Sequence, residues 1–160
     1  MAPRELLLES ASISVLAIQG KGLFREVSGY FGAAIDFCLC RNVSESLPGA
    51  RQTNQRAELT AIVRALDIVP RNRDVTIITD SRYAIDCVTV WYLTWRKNGW
   101  KTAAGKPVEN KDIVENVLAK IEERNDLKVQ TLFEWIKGHA NHPGNVEADK
   151  LAVNGARKGA

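Results

Sequence analysis

The sequence predicts one α/β domain around a mixed sheet of five strands. Apolar or β-branched runs of strand length alternate with stretches of helical period, in the order β-β-β-α-β-α-α-α-β-α. One run, 74–79, is nearly all apolar or β-branched, the composition of a central, parallel strand covered on both faces. Turn signals separate the runs, Pro48-Gly49, Asn98-Gly99 and Pro143-Gly144 among them. No repeat, low-complexity tract or linker interrupts the 160 residues, a length that suits a single domain with a sizeable core.

Residues 1–12 form an unassigned N-terminal segment, and the domain is expected over 13–158. ISVLAIQ (13–19), ended by Gly20, reads as the first strand, 29–40 as a longer second strand and 41–47 as a third that returns before Pro48-Gly49. Over 54–69, Leu59, Ile62, Val63, Leu66 and Ile68 recur near the helical period, and Pro70 stops the helix. After the strand at 74–79, Ser81 caps a helix carrying Tyr83, Ile85 and Val88. A further helical piece, 91–97, ends at Asn98-Gly99. Residues 110–124 are amphipathic through Ile113, Val117, Leu118 and Ile121. A strand over 129–136 and a last helix over 145–157 complete the chain.

Composition narrows the function classes. With 45% hydrophobic and 26% charged residues, the chain has the make-up of a soluble globular protein. No apolar run reaches the ~20 residues that span a bilayer, so no membrane partner is expected. The first nine residues, MAPRELLLE, are too short and too acidic for a signal peptide, which leaves an intracellular protein as the expectation. Cys38, Cys40 and Cys87 are odd in number and read as buried structural thiols. The net charge of +3 is small, but Arg96, Lys97, Lys101 and Lys106 cluster without an acid around Trp100, just after Trp91 and Trp95. That mixture suits phosphate contact with packing on sugar or base, and equally a solvated basic turn beside a tryptophan cluster.

The chemistry-bearing residues are three acids at element ends: Glu58 at the start of a helix, Asp80 at the end of the central strand and Asp149 in the last helix. Carboxylates converging from separate elements form an all-oxygen site for a hard cation, Mg²⁺ or Mn²⁺. Two such ions about 3.5–4 Å apart activate water and relieve charge on the leaving oxygen in phosphodiester cleavage.

The motifs RQTNQRAEL (51–59), IITDS (77–81), WRKNGWKTAAGKPVENKD (95–112) and EWIKGHANHPGNVEADKLA (134–152) resemble, in order and spacing, ribonuclease H of type I. The resemblance runs from about residue 28 to 157 and leans eukaryotic, fungal-like. It implies the ribonuclease H-like fold, with helices on both sheet faces, in a monomer that hydrolyses the RNA strand of an RNA–DNA hybrid with Mg²⁺ (or Mn²⁺) at a two-ion site. It implies that Glu58, Asp80 and Asp149 hold metal, and that His139, with His142 a weaker candidate, assists product release or proton transfer. Asn54 and Gln55 match positions that read RNA 2′-hydroxyls; Arg51, Thr53 and Asn110 match a pocket for a DNA phosphate. Trp91 and Trp95 would line the DNA channel, 95–112 would be a basic protrusion along that strand, and Asn145 lies beside the active site.

The family's first strand normally ends in an aspartate that bridges both metals. The pattern VLAIQGKG (15–22) places Gln19 there, and an amide brings no charge to offset two dications. Either the first strand has lost its acid or the N-terminus as written is not that of the working protein. A hybrid-binding module with little or no turnover is therefore a second reading, and a ribonuclease H domain from a retroelement a third.

Overall fold

The computed structural model describes residues 15–19, 47, 49, 51 and 53–137, the first stretch as backbone only. Its described strands are β1 (Val15–Gln19), β2 (Val75–Thr79) and β3 (Thr131–Trp135), in the order β1-β2-β3. The helices are α1 (Asn54–Ile68), α2 (Arg82–Asp86), α3 (Tyr92–Asn98) and α4 (Lys111–Asp126). The expected strands at 29–40 and 41–47 and the last helix at 145–157 lie outside the described residues.

β2 forms because VTIIT is β-branched at every position. It lies central among the described strands, parallel to β3 and antiparallel to β1, so the sheet is mixed. Val75 and Ile77 face a core shared with α1 and α4, and Phe133, the register partner of Ile77, packs at its edge. Ile78 points to the opposite face and is also buried, which accounts for the run's lack of polar alternation. The described helices all contribute to, or pack against, the core on the Val75–Ile77 face.

The sequence leaves the direction of β1 open. Gln19 pairs with Val75 and Val15 with Thr79. The C-terminal end of β1 therefore lies at the start of β2, four residues, or about 13 Å, from Thr79. Gln19 does not stand beside Asp80, as a parallel pairing would have required. Apolar patterning sets which residues share a face, but it carries no information about strand direction.

α1 buries Leu59, Ile62, Val63 and Leu66, an i, i+3, i+4, i+7 stripe, against Val114, Val117 and Leu118 of α4 and against β2. Thr53 caps it, its Oγ1 accepting the Arg56 N–H at 3.3 Å. Arg56 then forms a two-pronged ion pair with Asp112, at 3.0 and 2.6 Å, tying the first turn of α1 to that of α4. At the other end, buried Arg124 of α4 donates to the carbonyls of Leu66, Val69, Pro70 and Arg73. These are the carbonyls that α1 leaves unpaired as it ends, together with those of the turn into β2. Burial, followed by the charge of Arg71, pulls the Arg124 guanidinium below the usual arginine range.

α2 and α3 form one helical run, joined by a wide π-helical turn at Cys87–Trp91. In an unbroken α-helix, residues 83 and 91 would lie about 80° apart around the axis. The π turn absorbs the extra residue, and Tyr83 and Trp91 meet edge to face with ring centres 5.8 Å apart. Gly99, with φ +74°, ends the run as the sequence predicts. Cys87 is fully buried, and burial pushes its thiol up to about 11, which fits the structural role expected of it. No described helix is long and apolar enough to cross a membrane.

Replacing Arg124 with Met keeps most of the volume but strips the donors from four carbonyls. The variant is expected to lose about 2–4 kcal/mol of stability, read as a lower urea midpoint with an unchanged slope.

Candidate active site

Two of the three expected metal-binding acids lie among the described residues, and the fold brings them together. Asp80 follows β2 directly and is half-buried. Glu58, one turn into α1, is also half-buried and faces the same turn. Ser81 links them: its Oγ donates to Glu58 Oε2 at 2.5 Å and accepts the Ala84 N–H at 3.1 Å, capping α2. The Ser81 N–H in turn donates to Thr79 Oγ1 at 3.1 Å. The sequence marks Ser81 only as a cap; its bond to a residue 23 positions away has no local signal.

Burial pushes the Glu58 carboxyl above the usual carboxylate range, and the negative charge of Asp80 adds to the rise; the Ser81 hydroxyl opposes both. Two hard oxygen donors held close enough to repel fit a divalent cation, which would relieve that repulsion. No group of three or more ligating side chains occurs among the described residues. The third expected acid, Asp149, lies outside them, as do His139, His142 and Asn145.

The expected substrate contacts fall into two groups. Arg51, Thr53, Asn54 and Gln55 are exposed at the start of α1. Asn110, expected to share a pocket with Arg51 and Thr53, is buried at the start of α4, where its Nδ2 donates to the Tyr83 hydroxyl at 3.2 Å. Burial drives the Tyr83 phenol up to about 12, so it stays protonated. The Arg56–Asp112 pair brings the two helix starts together.

Trp91 is exposed and Trp95 half-buried, and with Tyr83 and Trp100 they form a row with ring centres 5.8, 5.8 and 6.0 Å apart. Lys111 lies over Trp100. Beyond it a short loop closes on itself through Thr102 N–H to Lys106 O and Val108 N–H to Trp100 O. Lys97, Lys101 and Lys106 are exposed there. Arg96 differs from the other basic residues: it pairs with Glu122 at 2.7 Å and packs over Tyr92, and so belongs partly to the α3–α4 contact.

An acid pair at the end of a central strand, beside exposed helix starts and an aromatic row edged with lysines, defines a class of α/β proteins equipped to act on phosphodiesters. A family model described as RNase H matches residues 19–157. The chain is 40% identical over 129 residues to a ribonuclease H of Pseudomonas syringae pv. syringae, covering 79% of this chain and 81% of that relative. The same identity and coverage hold for a ribonuclease HI of Pseudomonas syringae pv. tomato. Among solved structures, a foamy viral protease–reverse transcriptase in complex with dsDNA is similar, with a TM-score of 0.53 and 27% identity over 67% of each chain. The chain belongs to the RNase H family. These curated relatives are bacterial and give no support to the eukaryotic, fungal-like leaning.

Because its carboxyl is held above its unfolded value, Glu58 favours folding only while protonated, and that contribution is lost as pH rises through the unfolded value of about 4.3 towards the raised folded one. Glu58→Gln, which can still accept from Ser81, is therefore expected to melt above the wild type at pH 7 in metal-free buffer. The gap should close below about pH 4. Adding Mn²⁺ should raise the melting temperature of the wild type and leave the variant unmoved.

Proposed function

We infer that this protein is an RNA–DNA hybrid ribonuclease of type I that hydrolyses the RNA strand internally with the aid of divalent metal. Family membership supports the reaction class. The single structural observation that carries the reading is the meeting of Glu58 and Asp80, with Ser81 between them, at the end of β2. Glu58 and Asp80 would hold Mg²⁺ or Mn²⁺, with Asp149 as a further ligand. When bound, the ions supply an activated water and charge relief on the leaving oxygen.

The chain's own residues do the rest. Ser81 holds one Glu58 oxygen in place, leaving the other to turn to the metal. Asn54 and Gln55, exposed one turn from Glu58, are placed to read 2′-hydroxyls, which separate RNA from DNA. Arg51, Thr53 and Asn110 form the phosphate pocket where the starts of α1 and α4 meet. Trp91 and Trp95 offer faces to the DNA strand, and Lys97, Lys101 and Lys106 neutralise its phosphates. By the family resemblance, His139 serves product release or proton transfer, and Asn145 matches a position beside the active site. The protein works as an intracellular monomer.

One observation favours weakened turnover: the backbone at the end of β1, with Gln19, lies opposite Val75 and away from Asp80. Origin in a retroelement has less support, since bacterial proteins named ribonuclease H match at 40% identity.

The reading is tested with a labelled RNA–DNA hybrid in Mg²⁺ and in Mn²⁺. The wild type should cut the RNA strand, and Asp80→Asn should lower the rate by at least about 100-fold. A wild type that binds the hybrid without cutting it in either metal would replace the enzyme reading with that of a binding module. On the same substrate, Lys101→Ala and Lys106→Ala should each reduce the slope of log affinity against log salt by about 1.

A further inference from the structure

We propose that Trp135 is a positioning residue for the acid pair, its indole N–H fixing the main chain on which Asp80 is carried. The proposal rests on the reading of Glu58 and Asp80 as metal-binding carboxylates.

The turn after β2 leaves the sheet, so its peptide groups lose their ladder partners and must find others. The Thr79 carbonyl accepts from the Ile136 N–H at 3.0 Å, and the Ser81 carbonyl from the Ile85 N–H at 3.2 Å. Between them, the peptide joining Asp80 to Ser81 is held at both ends. Its N–H donates to Thr79 Oγ1 at 3.1 Å, and its carbonyl accepts from Trp135 Nε1 at 2.9 Å. A peptide plane pinned on both sides cannot rotate about its flanking bonds. The direction of the Asp80 Cα–Cβ bond relative to Ser81, and hence to Glu58, is thereby set.

Core packing does not explain a tryptophan here. Phe133 is the β3 side chain packed on the core, whereas Trp135 remains 43% exposed. What Trp135 supplies is one donor on a rigid ring. The guanidinium of Arg82, two residues after Asp80, lies 5.1 Å over that ring and holds its plane. β3 places the ring correctly because Trp135 is the parallel register partner of Thr79, the last residue before the turn.

The test replaces Trp135 with its benzothiophene analogue, which exchanges the N–H for sulfur in a ring of the same shape. The 7-azaindole analogue, which retains the N–H, is the matched control, and Trp135→Phe is a third form. Mn²⁺ binding to each full-length protein is followed by electron paramagnetic resonance, and hybrid cleavage is followed in parallel. Loss of the N–H should weaken Mn²⁺ binding about tenfold and lower kcat with KM for the hybrid unchanged, while the azaindole form behaves as wild type. If the benzothiophene form binds Mn²⁺ as the wild type does while Asp80→Asn does not bind it, Trp135 has no positioning role. If Asp80→Asn binds Mn²⁺ like the wild type, or the wild type does not bind it, the metal reading fails and the proposal with it.

Discussion

The guanidinium of Arg124 ties α4 to the end of α1 and to the turn that follows it into β2. It sits at the end of α4, yet its donors serve the last carbonyls of α1 and the turn that feeds β2. A helix that ends inside the protein must satisfy those carbonyls or pay their desolvation. One planar side chain does so and sets the distance between α1, α4 and β2 at once. At the opposite end the Arg56–Asp112 pair closes the same two helices. Glu58 lies between these ties on α1, and Asp80 lies at the far end of the strand that Arg124 helps to start.

That frame explains how two like charges come to be held together. Left alone, carboxylates in a half-buried turn separate or take up protons. Here α1 is anchored at both ends and β2 is covered on both faces, so neither acid can withdraw without disturbing the core. Burial raises the Glu58 carboxyl, the charge of Asp80 adds to the rise, and the Ser81 hydroxyl opposes both.

The aromatic row shows a second use of local irregularity. Tyr83 and Trp91 meet only because the π turn takes up one residue more than an α turn would. Tyr83 also receives the bond from Asn110, which anchors the start of α4. A residue expected in an open phosphate pocket is thus also part of the packing between α2 and α4. Its burial ties the start of α4 to α2, while the Arg56–Asp112 pair ties it to α1.

Much of the fold was legible in the sequence because it is written in short-range terms. The α1 stripe, the stop at Pro70, the β-branched run of β2, the Ser81 cap and the Gly99 end each depend on residues within a turn or two. The candidacy of Glu58 and Asp80 was legible too, from acids at element ends within recognisable motifs. Strand direction was not: Gln19 falls opposite Val75, because alternation of apolar residues is the same read in either sense. Nor were the ties of Arg124 to the end of α1, of Ser81 to Glu58 or of Trp135 to Asp80, since each joins positions from 23 to 58 residues apart. The sequence by itself determined which residues form the elements and which side chains could do chemistry. Tertiary structure decided which of them meet, because hydrogen bonds and charge act over a few ångströms of space, whatever the separation along the chain.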